Sequence, residues 1–364
     1  MIGVLGGGQL ARMLALAGYP LGERFLVVDP SPAAGASHLA RMIVGTYDDS
    51  GALDSLIEEC SVVTYEFERV PAASARRVAE RVPVHPNPGV LEVSQDRLTE
   101  KQLFNRHGLK TPEFRPVLGR AELEAAVESL GPPVVVKTRR EGYDGKGQVV
   151  VRGRDDIERA HRELAGKELL VEALVDFDRE LSLLAVRSRQ GDIAFYPLVE
   201  NLHREGILRL SKAPAPELTA ALQRGAEAHA RALMEELDYV GVLAIELLQV
   251  GDALLGNEMA PRVHNSGHWT IEGARTSQFE NHIRAITGRP LGSTRPVGYS
   301  AIVNLIGELP DLDELLGLDG AHLHLYDKEP RPGRKLGHVT LVADDPTERD
   351  DQLERLLPIV GADH

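Results

Sequence analysis

The chain has 364 residues, of which 43% are hydrophobic, 26% charged and 4% aromatic, with Cys60 as the single cysteine. This is a globular composition with chain enough for two or three domains; its apolar stretches fall short of the roughly 18–20 residues of a membrane span, and one thiol makes neither an intramolecular disulfide nor a Cys-based zinc site. Lys and Arg total 41 against 55 Asp and Glu, a net charge of −14, so the bulk field opposes nucleic acid or an anionic membrane as partner.

Met1 opens on MIGVLGGGQLARML, which has no basic leader and reads as the start of a mature cytoplasmic chain. Gly3-Val4-Leu5 predicts a strand and Gly6-Gly7-Gly8 a turn. Gln9 to Ala17 follows as a helix with Leu10, Met13, Leu14 and Ala17 on one face. Further strands are predicted at Phe25–Val28, ending at Asp29, and at Ser61–Tyr65, ending at Glu66. Strand and helix in alternation imply a doubly wound parallel sheet, with ligands at the carboxyl ends of the strands.

His85-Pro86-Asn87-Pro88-Gly89 reads as an extended linker, followed by a helix from an Ser94 N-cap to His107 with Gly108 at C′. From about Pro132 the pattern turns β-rich, with apolar runs at 134–136, 148–151, 168–171, 181–186 and 242–248 around a helix near 217–236. The Gly- and Pro-rich stretch 290–296 marks a second boundary. Beyond it, strands are predicted at His322–Tyr326 and His338–Val342, joined by a turn at 329–333. The domains expected are 1–93, an α/β unit; 94–293, carrying a lid hairpin near 134–151; and 294–364, a small β-rich unit.

Three features carry chemistry. Gly6-x-Gly8-x-x-Ala11, with Asp29 about 20 residues on, fits a relaxed dinucleotide fingerprint and raises an NAD-dependent dehydrogenase as a first hypothesis; the same glycines suit any βα turn whose N–H groups approach a ligand. Gly142-Tyr143-Asp144-Gly145-Lys146-Gly147, between two strand-like runs, is a hairpin tip with the makings of a phosphate-covering lid, and it lacks the spacing of a Walker A loop. Lys137 ends an apolar strand, where its ammonium needs an anion. Glu246 lies in an apolar strand and Asn257-Glu258 follows a turn at Gly251-Asp252. A strict two-residue turn sets Glu246 opposite Asn257, so bringing Glu258 alongside takes a longer loop or a bulge. Two such carboxylates beside a nucleotide suit Mg²⁺, whereas Glu246 alone reads as a partner of Arg262 or Lys212.

Taken in order, Lys137, GYDGKGQ (142–148), EALV (172–175), Glu180, Glu246 and NEMAPR (257–262) resemble the ATP-grasp superfamily. GGGQLARML (6–14), YEFE (65–68), QDRLTEKQLF (95–104), HNSGHWT (264–270) and RKLGH (334–338) are similar, within it, to the N5-carboxyaminoimidazole ribonucleotide synthetase family of purine biosynthesis. The resemblance implies an ATP-grasp fold, α/β and α+β in class, with an N-terminal doubly wound parallel-sheet domain and a small β-rich C-terminal domain. It implies ATP and Mg²⁺, with Mn²⁺ as a substitute, and neither NAD nor biotin; the partners are the aminoimidazole ribonucleotide, bicarbonate and a second copy of the chain in a homodimer.

Carried onto matching positions, the resemblance assigns Arg97, Lys137, Gly142, Tyr143, Asp144, Gly145, Lys146, Gly147, Gln148, Glu172, Ala173, Leu174, Val175, Glu180, His203, Asn257 and Glu258 to ATP, the 173–175 backbone to adenine and Glu180 to ribose. Glu246 and Glu258 hold the metal. Gln9, Leu10, Glu66, Arg334 and Lys335 meet the ribonucleotide, the last two at its phosphate, and Tyr143, Asp144, Lys146, Arg262, His264, Asn265 and Lys335 serve the chemistry. Many relatives carry Asn two residues after the second metal Glu; here it is Ala260, which leaves a third ligand to water or phosphate. A formate-using glycinamide ribonucleotide transformylase or a biotin carboxylase shares the implied fold but accounts less well for HNSGHWT and RKLGH. His322 and His324 read as a solvated strand face, Arg139-Arg140 as solvated charge, Arg76, Arg77 and Arg81 as surface, and Trp269 as a packing anchor.

Overall fold

The computed structural model describes residues 1–142 and 147–361. The first segment is a four-stranded parallel sheet in the order β3-β2-β1-β4, built from β1 (Ile2–Leu5), β2 (Phe25–Asp29), β3 (Arg41–Val44) and β4 (Val62–Tyr65). Its crossovers run through α1 (Gln9–Gly18) and α2 (Ser50–Glu59), with α3 (Ala72–Ala79) after β4. Leu10, Met13 and Leu14 are buried on α1, as their helical spacing requires.

The connection at 85–108 differs from the expected one. Asn87 caps a helix, α4 (Pro88–Ser94), accepting from the Gly89 N–H, and Pro88 stands at its first position, where a missing N–H costs nothing. Ser94 therefore ends one helix and does not start the next. The N-cap of α5 (Arg97–Arg106) is Asp96, which accepts from the Leu98 N–H at 3.0 Å.

A second sheet, ordered β5-β8-β6-β7 and antiparallel throughout, contains β5 (Phe114–Val117), β6 (Val134–Thr138), β7 (Gln148–Val151) and β8 (Leu169–Ala173), backed by α6 (Arg120–Leu130) and α7 (Arg154–Glu163). Val134, Val136, Val149, Val151 and Val171 form much of its core. The third sheet has nine strands: β9 (Arg179–Arg187), β10 (Ile193–Phe195), β11 (Val199–Arg204), β12 (Ile207–Ala213), β13 (Gly241–Val250), β14 (Ala253–Ala260), β15 (Tyr299–Ile306), β16 (Ala321–Leu325) and β17 (Lys335–Ala343). The helices α8 (Ala220–Glu236), α9 (Thr270–Gly273), α10 (Gln278–Thr287), α11 (Leu312–Leu316) and α12 (Pro346–Val360) pack around it. The C-terminal strands have no sheet of their own: β15 pairs with β12 from Leu210↔Val303 to Ala213↔Ser300, so the ladder runs unbroken from β14 to β16. Trp269 is fully buried, edge-on to Tyr196.

Candidate active site

At the glycine-rich turn, the N-terminus of α1 is already taken by a carboxylate from the chain itself. Glu66, at the end of β4, accepts from the Gly8 N–H at 2.6 Å through Oε1 and from the Leu10 and Ala11 N–H groups at 3.1 Å through Oε2. Asp29 accepts from Gly7 N–H at 2.8 Å. A Cβ on Gly8 would come within 2.5 Å of Glu66 Oε1, so the glycines make room for this carboxylate. The Gly7, Gly8, Leu10 and Ala11 N–H groups that a pyrophosphate would call on are thereby bonded internally, which weighs against the dinucleotide reading. Burial pushes the Glu66 carboxyl up despite its backbone donors. Leu10 has its side chain in the core and its N–H on Glu66. Gln9 faces the third segment, where its side-chain oxygen accepts from Lys328.

On the middle segment, Lys137 does find its anion: Nζ lies 2.9 Å from Glu172 Oε2 across the β6–β8 ladder. Lys101, only 1% exposed, reaches the same oxygen at 3.2 Å and the Asn257 carbonyl at 3.3 Å. These two ammonium groups outweigh burial and lower the Glu172 pKa. Its Oε1 is buried without a partner among the described residues. The Ala173 and Leu174 N–H groups bond to the Glu113 and Pro133 carbonyls. Arg139 is not solvated charge: it pairs with Asp96 through two N–H groups, at 3.1 and 2.5 Å, and Arg140 adds a third contact at 3.0 Å. Gly147 and Gln148 are described, whereas the expected roles of Tyr143, Asp144, Gly145 and Lys146 lie outside the described residues.

The two carboxylates meet. The turn at 251–252 is of two residues, Val250 pairing with Ala253, and a bulge between Glu246 and Leu247 shifts the register so that Glu246 stands opposite Glu258 and Leu247 opposite Gly256. Asn257 is the extra residue. Arg97 Nη1 lies 3.1 Å from Glu258 Oε2 and His264 Nε2 lies 3.1 Å from Glu246 Oε1. Burial opposes the Glu246 charge, but the His264 hydrogen bond and the nearby His203 and Arg262 hold its pKa down at about 2. Arg262 itself bonds Glu68 at 2.6 Å, and Lys212 bonds Asp350 at 2.9 Å, so neither is the partner of Glu246. Glu180 and His203 form an ion pair, which raises the imidazole pKa against burial.

The third segment brings a basic cluster to this ring. Burial lowers the Lys328 pKa to about 8; its ammonium is also under the influence of Glu66, Arg334, Lys335 and Arg331. Asn265 exchanges side-chain hydrogen bonds with Asn304, at 3.1 and 2.7 Å. His322 is exposed, but His324 is not a solvated residue: it bonds Glu272 at 2.7 Å and stacks on His338, ring centroids 4.6 Å apart. Glu68, Lys101 and Lys328 are the residues that sequence reasoning missed. Glu68 lay within the YEFE motif and Lys101 within QDRLTEKQLF, but the partners of both are more than 70 residues away in sequence.

Three family matches tile the chain: a ribonucleotide synthetase preATP-grasp domain over residues 1–95, an ATP-grasp domain over 102–279 and a phosphoribosylaminoimidazole carboxylase C-terminal domain over 300–352. The chain is 49% identical over 340 residues to the N5-carboxyaminoimidazole ribonucleotide synthase of Pseudomonas aeruginosa, covering 93% of this chain and 94% of that one. With the Escherichia coli protein of the same name the identity is 42%, covering 99% and 95%. Among solved structures, the synthetase from Thermus thermophilus superposes with a TM-score of 0.96 at 56% identity, covering 100% of this chain and 99% of that one. The Aspergillus clavatus synthase in complex with ADP and 5-aminoimidazole ribonucleotide gives 0.92 at 32%, covering 99% and 98%.

Proposed function

The chain belongs to the N5-carboxyaminoimidazole ribonucleotide synthase family of ATP-grasp ligases, and from that premise we propose how its residues divide the reaction. It is an ATP-dependent carbon–nitrogen ligase that carboxylates 5-aminoimidazole ribonucleotide in purine biosynthesis. The observation that most supports the division proposed here is the Glu246–Glu258 register pair, flanked by Arg97 and His264, with Lys137 and Glu172 on one side and Arg262 on the other.

Bicarbonate is a poor electrophile. Transfer of the γ-phosphoryl group of ATP to one of its oxygens expels ADP and leaves carboxyphosphate; loss of phosphate then frees CO₂ beside the substrate amine, which bonds to the carbon and gives up a proton to the departing phosphate. Lys137 would bind nucleotide phosphate, and the orphaned Glu172 Oε1 is an acceptor for the adenine amino group. Glu180, steadied by His203, would accept from a ribose hydroxyl. Arg262 can grip a carboxylate or phosphate bidentately, and with His264 and Asn265 it would surround the transferred group. Gln9, Lys328, Arg334 and Lys335 would take the ribonucleotide, with the cations toward its phosphate.

The donor set fits a hard divalent cation: two carboxylates face each other across one ladder, and Glu246 is held ionised. Glu246 and Glu258 would therefore hold Mg²⁺, or Mn²⁺ in its place, and the ion would neutralise charge on the nucleotide phosphates. The inferred setting is cytoplasmic, and the inferred assembly is a homodimer, tested by light scattering of the purified protein. The reaction itself is tested by ADP release with ATP, Mg²⁺ and bicarbonate: the aminoimidazole ribonucleotide should stimulate it. Stimulation by formate with glycinamide ribonucleotide instead would sink the assignment.

A further inference from the structure

Behind His264 runs a buried file of short polar side chains that no part of the mechanism above uses. Ser211 on β12 donates its hydroxyl to Asn201 Oδ1 on β11 at 2.7 Å, and Asn201 Nδ2 donates to Ser182 Oγ on β9 at 3.0 Å. Ser182 donates to Ser266 Oγ at 2.7 Å, and Ser266 Oγ lies 2.8 Å from His264 Nδ1. Ser182 and Ser266 are wholly buried, Ser211 is 1% exposed and Asn201 7%. An amide oxygen only accepts and an amide nitrogen only donates, so Asn201 fixes its own two links; Ser182, which accepts from Asn201, has its proton free for Ser266, and Ser266 in turn has its own for His264.

Two further contacts agree with that direction. The Ser266 N–H also points at His264 Nδ1, at 3.4 Å, so the ring nitrogen is an acceptor at the start of the short turn Asn265–Gly267. On the other side of the ring, Nε2 faces the Glu246 carboxylate at 3.1 Å, an acceptor that calls for an N–H. We infer that Ser211, Asn201, Ser182 and Ser266 are positioning residues that set the tautomer of His264, with Nδ1 as the acceptor and Nε2–H as a fixed donor presented to the reaction centre. His264 in this form is a hydrogen-bond donor and not a proton acceptor on the substrate side. Its Nδ1 lone pair is engaged behind the site, and the donor needs no reorganisation when charge develops in front of it.

The inference bears on the site assigned above, but its test does not depend on the reaction. Long-range ¹H–¹⁵N correlation on the ligand-free protein with ¹⁵N-labelled histidine, assigned by loss of the His264 signals in His264→Gln, reads the tautomer directly. The expected pattern at pH 8 is an unprotonated Nδ1 and a protonated Nε2. Ser182→Ala cuts the file two links from the ring; the two ¹⁵N signals should move toward each other, and kcat should fall about three- to tenfold with the KM for ATP unchanged. Asn201→Asp, close to isosteric, turns the Asn201–Ser182 link around and should move the signals in the same sense, which keeps the test open if Ser182→Ala does not fold. A protonated Nδ1 in the unaltered protein, or ¹⁵N signals unmoved in the folded variants, would overturn the inference whatever the activity does.

Discussion

The turn at Gly6–Gly8 and the β13–β14 hairpin both bring carboxylates to places where the sequence points to a ligand, and they do so with opposite results. At the turn, Glu66 is enclosed by the Gly8, Leu10 and Ala11 N–H groups at the start of the first helix, which satisfy it. At the hairpin, Glu246 and Glu258 face each other and meet side chains, His264 and Arg97, rather than main-chain donors. A carboxylate held by main-chain donors is fixed by the turn it closes; two that face each other across a ladder would, on the proposed function, be open to a cation.

The sharpest way to break this comparison is at the hairpin. Glu246→Gln should lower ribonucleotide-stimulated ADP release on the order of 10²-fold or more in a protein that still folds, and chelation of divalent cations should do the same to the native enzyme. Near-normal turnover in Glu246→Gln would remove the metal assignment. At the turn the effect should fall on stability: Glu66→Gln sets an NH₂ against N–H groups that now meet an oxygen, and the donors left unpaired should cost about 2 kcal/mol in urea unfolding. A substitution that left the unfolding midpoint in place would show that Glu66 is held for binding and not for architecture.

The smallest effect separates the two kinds of carboxylate by pH. Arg262 overcomes burial and lowers the Glu68 pKa from its ordinary 4.5 to about 2. The unfolded chain therefore takes up the proton first, and the stability Glu68 contributes, present above pH 4.5, is lost as the pH falls toward 2. Glu66 is shifted upward, so its protonated form favours the folded state, and its effect is lost as the pH rises. Glu68→Gln should flatten the fall of the urea midpoint between pH 4.5 and 2, and Glu66→Gln should not. Equal acid profiles for the two variants would erase the distinction.

The elements with strong periodicity were legible in the sequence: the first helix, the parallel strands and the apolar strands of the middle segment. So was the need for either a three-residue loop or a bulge, because counting back from a two-residue turn misses Glu258 by one position; which of the two it is, a bulge after Glu246, was not. The helix caps at Asn87 and Asp96 were not, since Pro88 breaks a helix in its interior but suits its first position, and the value of Asp96 as a cap rests on Arg139, 43 residues away. The destination of Glu66 was equally hidden. A carboxylate at a strand end looks the same in sequence whether it awaits a ligand or closes a turn 58 residues distant.

The unbroken ladder from β14 to β16 has a mechanical consequence. Glu246 on β13 and Lys335 at the start of β17 ride on one sheet, and to swing one against the other would mean pulling apart the main-chain bonds between β12 and β15. In hydrogen exchange, the β12 and β15 amides should open together with β9 and β13 as a single slow unit, while the separate β5–β8 sheet exchanges on its own schedule. The distance between Glu246 and Lys335 is thus a stiff gauge length of the molecule, and on the proposed division of roles nucleotide entry would be left to the sheet that carries Lys137.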